Sequence, residues 1–166
     1  MKIFDLDHAA TTPIHPLVLD AMWPFLKLSY GNPSSIHELG MTAKRAIEQS
    51  RKQIASILNC EPNELIFTGS GTEATNLAIK GYASKHPNKK EIITTQIEHA
   101  ATLRTVQYLE KQGYKVHYLK VDHEGFIDLV ELRSLTNPNT LVVSIIWGNN
   151  EIGTIQDLES IEKNRP

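Results

Sequence analysis

The chain has 166 residues, 40% of them hydrophobic and 22% charged, the composition of a soluble globular protein with a sizeable core. A net charge of -2 implies no broad basic face for nucleic acid, and no apolar run reaches the length of a membrane span. The single cysteine, Cys60, excludes an internal disulfide framework, and the opening MKIFDLDHAATTP carries acids and a histidine where a signal peptide would be apolar, so a reducing, cytoplasmic location is expected.

Residues 1–37 read as an irregular N-terminal segment with one short helix. HAATTP and YGNPSSIH are rich in turn formers, and between them Leu17 to Leu28 is expected to be helical, with Pro24 kinking it or ending its first part. A long helix is expected from Glu38 to Asn59, because Leu39, Ala43, Ala46, Ile47, Ile54, Ile57 and Leu58 recur at helical spacings and charged residues fill the other side. The remainder, 38–166, reads as one partial α/β domain. From residue 64 onward short β-prone runs alternate with helices. The runs are Leu65–Thr68, Glu91–Thr95, Val116–Lys120 and Thr140–Ile146, and the helices are Thr72–Lys85, Ala100–Gln112 and Leu129–Leu135. Gly113 falls where a helix C-terminal glycine belongs. This alternation predicts a three-layer α/β fold, with a mostly parallel sheet between flanking helices. DLESIEKNRP reads as the opening of another helix, which would leave the sheet unfinished.

Three stretches carry candidate chemistry. In FTGSGTEATNLAIKG, a bare turn of small residues leads into a helix. Unpaired N–H groups and the helix dipole suit an anion there, and Thr72 could cap the helix or give its hydroxyl to a phosphate. An ordinary turn with a hydroxyl cap satisfies the same residues. No Gly-Lys-Ser/Thr follows, so it is not a Walker A loop, and Ala74 replaces the third glycine of a dinucleotide fingerprint, which leaves a Rossmann-type reading weakened but open. In TTQIEHAATL, His99 stands just past a strand, where an imidazole could stack on a planar ring or move a proton; a surface histidine is the plain alternative. In SIIWGNNEIGT, Asn149, Asn150 and Glu151 follow a buried strand, and they suit either a turn or a hydrogen bond to a ligand heteroatom. Ligands in open parallel sheets bind beyond the carboxyl ends of strands, so these three spots would converge on one edge. The other histidines, including His8, His15, His37, His117 and His123, make no metal-site spacing, and Cys60 reads as a structural thiol.

LDHAATTP, YGNPSSIHELG, ELIFTGSGTEATNLAIKG, IITTQIEHAA and VSIIWGNNEIGTIQ together resemble, in order and spacing, the cysteine desulfurases of the class V aminotransferase family. The resemblance runs through essentially the whole chain. It implies an incomplete large domain of the fold-type I pyridoxal 5′-phosphate (PLP) enzymes. It implies PLP as cofactor, with Gly71 and Thr72 binding its phosphate, His99 stacking on its ring and serving as the catalytic acid/base, and Asn150 hydrogen-bonding near the ring oxygen. The substrate implied is L-cysteine, converted to L-alanine while an enzyme thiolate takes the sulfur as persulfide. That sulfur would serve acceptor proteins in iron–sulfur cluster assembly or tRNA thiolation. HAATT and GNPSS would line the substrate entrance.

The family pattern is more than twice as long as this chain. No position here matches the acid beneath the pyridine nitrogen, the neighbouring glutamine, the His-Lys pair that anchors the cofactor, or the loop with the attacking cysteine; Lys80 lies mid-helix, and Cys60 matches an ordinary loop. The expectation is therefore the N-terminal part of a cysteine desulfurase, inactive alone because covalent catalysis is missing. It would work as a homodimer or with a complementing C-terminal half. The alternatives are a non-catalytic partner of such a half or of a homologue, and a Rossmann-type nucleotide binder.

Overall fold

The computed structural model describes residue 4 and residues 6–163; the last three residues of the expected C-terminal helix lie outside them. The chain divides between Phe67 and Thr68 into two compact units.

The first unit holds two helices and a 3-10 turn. Helix α1, Pro16–Lys27, begins with proline at its first position, where the missing N–H costs nothing, and His15 Nδ1 accepts a bond from the Leu17 amide at 3.3 Å. Pro24 does not end it: the helix continues to Lys27, and the Pro24 carbonyl accepts from Leu28 at 2.8 Å and Ser29 at 2.9 Å. Helix α2, Glu38–Leu58, follows the expected boundaries within one residue and closes on Asn59, left-handed at φ 53°. Its start is pinned by backbone contact. A Cβ on Gly31 would lie 2.2 Å from the Leu39 carbonyl oxygen, and one on Gly40 would lie 2.4 Å from the Ser35 oxygen, so the GNPSSIHELG turn folds onto itself only through glycines. Cys60 follows α2, half-buried, its N–H on the Ala55 carbonyl at 3.0 Å.

Leu65–Thr68 forms no strand. Three parallel strands make the sheet in place of the four expected runs, because among the described residues nothing pairs with this segment and a lone extended run has no ladder. A 3-10 turn at Pro62–Glu64, unforeseen in the sequence, precedes it, and the Arg51 guanidinium donates to the Leu65 carbonyl.

The second unit carries the sheet. Its strands are β1 (Glu91–Thr95), β2 (Lys115–Leu119) and β3 (Thr140–Ser144), in the order β2-β1-β3. Helices α3 (Gly71–Lys85), α4 (Ala100–Lys111), α5 (Leu129–Leu135) and α6 (Leu158–Glu162) flank it. Successive residues of β1 feed opposite faces, as the pleat requires. Ile92 packs with Ile79 and Ala83 of α3 and with Val106 and Leu109 of α4; Ile93 packs with Leu119 and with Leu132 of α5, with Ile161 of α6 against them. That is the expected three-layer α/β arrangement, its parallel sheet central and buried on both sides. Gly113 takes φ 88° after α4, as its place at the helix end foretold.

Beneath the amino ends of the strands lies a polar knot. The Glu91 carboxylate accepts from His117 Nε2 at 2.8 Å and from the side-chain amides of Asn137 and Asn139, both at 3.3 Å. Those bonds, the histidine's foremost, hold its pKa down to about 2.

Candidate functional site at the carboxyl edge of the sheet

The opposite, carboxyl edge of the sheet gathers all three stretches singled out above. Helix α3 is capped by Ser70, not by Thr72: Ser70 Oγ accepts from the Glu73 amide at 3.1 Å, while Glu73 Oε2 accepts from the Gly69 amide at 2.7 Å. The sequence left the capping role open between a bound phosphate and a hydroxyl cap. Because Ser70 takes it, Thr72 lies inside the first turn with its hydroxyl released from that duty. Among the described residues the Gly71 and Thr72 amides have no acceptor, as expected at N1 and N2 of a helix. A Cβ built on Gly71 meets nothing within 4 Å, so the turn faces open space.

His99 caps α4. Its Nδ1 accepts from the Ala101 amide at 3.1 Å, which leaves the ring proton of the neutral form on Nε2. Histidine caps α1 and α2 in the same way, so capping alone does not mark His99 out. Its place does: it stands four residues past β1 and lines a cavity of about 310 Å³ together with Thr72. The dipoles of α3 and α4 both favour negative charge at their N-terminal ends.

Asn149 and Asn150 part ways. Asn149 is buried, and its amide does two things: Nδ2 donates to the Ile97 carbonyl at 2.9 Å, and Oδ1 accepts from the Glu151 and Ile152 amides at 2.9 and 3.1 Å. It fastens the turn after β3 to the turn after β1. Asn150 is exposed, its Nδ2 on Glu151 Oε1 at 3.0 Å, and it does not line the cavity of Thr72 and His99.

Glu98 is the residue that sequence reading passed over. It is buried beside His99, and its Oε1 accepts from the Thr95 hydroxyl at 2.9 Å and from the Ile146 amide at 2.7 Å. The second bond also explains why β3 stops at Ser144 and not at the expected Ile146: the Ile146 N–H leaves the ladder for the carboxylate. Burial pushes the Glu98 pKa up, against the pull of the Ile146, Thr95 and Thr102 bonds. A charged residue flanking an apolar strand was the available signal, but spacing alone does not reveal a long-range acceptor.

Chemically, the edge offers free amides, a hydroxyl and two helix dipoles for an anion, and an imidazole with a defined tautomer beside them. Among the described residues no group of three histidine, cysteine, aspartate or glutamate side chains could hold a metal ion, and no helix is long and apolar enough to cross a membrane.

The sequence profile of the aminotransferase class-V family matches residues 4–165. The chain belongs to that family. Within the class V family it is 46% identical over 159 residues to a cysteine desulfurase IscS of Dictyoglomus turgidum, covering 95% of this chain and 40% of that protein. A cysteine desulfurase IscS of Methanosarcina thermophila is 48% identical over 161 residues, covering 96% and 40%. Among solved structures, a NifS-like protein superposes with a TM-score of 0.92 at 41% identity, covering 95% of this chain and 44% of its own. SspA in complex with cysteine gives 0.89 at 40% identity, covering 95% and 46%. The chain therefore spans about two fifths of the length of the curated relatives it matches. Their fold agrees with the α/β architecture described above.

Proposed function

We propose that this chain forms the cofactor-phosphate side of a cytoplasmic, PLP-dependent cysteine desulfurase, which converts L-cysteine to L-alanine and passes the sulfur through an enzyme persulfide to acceptor proteins such as those of iron–sulfur cluster assembly. One observation carries the reading: Thr72, in the open first turn of α3, and His99, just beyond β1, share one cavity. Relatives named as cysteine desulfurases, and a neighbour solved with cysteine, support the substrate.

The residues present fit the cofactor. The donor set of Gly71 N–H, Thr72 N–H and the Thr72 hydroxyl suits a phosphate dianion, and the empty space beside Gly71 lets it approach the backbone. When bound, PLP supplies an electron sink for charge developing at the substrate Cα. This chain's residues do the positioning. Gly71 and Thr72 hold the phosphate against the α3 dipole. His99, whose Nδ1 is engaged by the Ala101 amide, would present its ring face for stacking on the pyridine and Nε2 alone for holding or moving a proton. Asn150, which is bonded to Glu151 outside that cavity, would have to leave Glu151 to hydrogen-bond near the ring oxygen. Glu98 and Asn149 keep the two turns together beneath them. None of these 166 residues matches the family's anchoring lysine or attacking thiol, so these residues alone should turn cysteine over no faster than free PLP does.

The first unit favours a complementing partner. Helix α1 buries none of its residues, and Leu17, Val18, Met22, Trp23, Phe25 and Leu26 are all exposed. A face of that size calls for cover, and the remainder of the family fold is the occupant we assign to it. The test is to co-express this chain with the C-terminal portion of a cysteine desulfurase relative and to assay alanine from cysteine and PLP. The complemented pair should make alanine, and His99→Ala should lower kcat about 100-fold or more. An inactive pair, or a fully active His99→Ala, would defeat the proposal.

A further inference from the structure

The cavity that holds Thr72 and His99 does not end at the helix N-termini. It continues between α3 and α4, and its walls there are Asn76 and Lys80 on one side and Arg104 and Thr105 on the other. Thr72, Asn76 and Lys80 follow one another at four-residue spacing on a single face of α3, so Lys80 lies about 12 Å along the axis from Thr72. The Lys80 ammonium lies over the Tyr108 ring, two turns into α4, and not at the first-turn amides.

Two independent features mark this inner part as a site. One is an orphaned polar atom: Thr105 is 2% exposed, and its hydroxyl has no hydrogen-bond partner among the described residues. A buried hydroxyl left unpaired is destabilising, so an occupant that bonds to it is favoured. The other is uncompensated charge. Lys80 and Arg104 both line the cavity, and no acidic side chain does. Arg104 makes no ion pair among the described residues. The Lys80 ammonium is steered across the seam by Tyr108 of α4, lying 4.5 Å from the ring centroid, which puts it on the same stripe of α4 as Arg104, four residues earlier. Two cations and a neutral hydroxyl around one space match an oxyanion bearing two charges.

We infer that the α3–α4 groove, formed by Lys80, Arg104 and Thr105, is a second oxyanion site, selective for a phosphate-type dianion and separate from the phosphate cradle at Gly71 and Thr72. It does not depend on the PLP reading, because none of its three residues serves that cradle.

The test is an amide-resolved NMR titration of the whole chain with inorganic phosphate, repeated with acetate and in the presence of saturating pyridoxine 5′-phosphate. Phosphate should shift the amides around Lys80 and Arg104 saturably, and acetate should bind there at least tenfold more weakly. Lys80→Gln and Arg104→Gln, both surface changes that leave the core alone, should each raise the apparent Kd about tenfold, and the isosteric Thr105→Val should raise it severalfold. Shifts confined to Gly71–Glu73, an unchanged Kd in Lys80→Gln and Arg104→Gln, equal affinity for acetate, or full competition by pyridoxine 5′-phosphate would each overturn the inference. If pyridoxine 5′-phosphate fails to bind while phosphate still titrates at Arg104, the cofactor reading fails and this one stands.

Discussion

The two units are built from similar amounts of apolar sequence but spend it differently. In the second, β1 alone places Ile92 and Ile93 in separate cores, each fully buried and each roofed by helices. In the first, α1 buries nothing, and α2 buries only Gly40, Ala43 and Ala55 while Ile57 remains 81% exposed. A sheet with helices on both faces supplies its own cover. Two helices presenting wide apolar faces do not. The contrast teaches that the residues proposed to hold a phosphate sit on a unit that covers its own core, while the N-terminal unit leaves its apolar helix faces exposed.

The largest effect expected from this contrast is in stability. Ile93→Ala should cost about 2–5 kcal/mol, read as a fall in the urea midpoint, because it opens a cavity in a closed core. Ile57→Ala, equally apolar but exposed, should stay within about 0.5 kcal/mol. Equal losses would erase the distinction between the units.

Next comes the buried acid. Glu98→Ala strips an acceptor from the Ile146 amide and the Thr95 hydroxyl and should cost about 1–3 kcal/mol, whereas Glu98→Gln keeps an acceptor in place and should cost less. The pH dependence sharpens this. Burial raises the folded pKa of Glu98 above its ordinary value of 4.5. Its contribution is then full below pH 4.5 and is lost as pH rises through the raised value, so Glu98→Gln should flatten the stability profile in that window. An unaltered profile would remove Glu98 from its bracing role.

Much of this was legible in the residues, and the exceptions share a cause. Helices α2 and α5 and strand β1 followed their patterns closely because period and turn chemistry are local. The extended run at Leu65–Thr68 misled because pairing, and not composition, makes a strand. Thr72 read as a possible cap, and only the backbone shows that Ser70 is the N-cap. Glu98 escaped notice because its partner at Ile146 is 48 residues away. The candidate site was legible only as three polar stretches after three apolar runs. That Asn149 would brace while Asn150 stayed exposed required the turn geometry.

A smaller effect is expected at the other edge. Glu91, with its pKa held down to about 2, should lend stability that is present above its ordinary pKa of 4.5 and is lost as pH falls from there toward 2. Glu91→Gln should narrow the stability difference between pH 5 and pH 2.5 without disturbing the carboxyl edge. The Glu91 knot faces away from the proposed site, so chemical shifts at His99 and Gly71 should not move.

The most direct test of the central claim, that the α3 turn and His99 together hold a phosphorylated pyridine ring, is calorimetric titration of the whole chain with pyridoxine 5′-phosphate and with pyridoxine, neither of which carries an aldehyde to react with surface lysines. The account predicts saturable binding of the phosphate ester, little binding of pyridoxine, and at least a tenfold loss of affinity in Thr72→Ala. Equal affinity for the two ligands, or undiminished binding by Thr72→Ala, would contradict it.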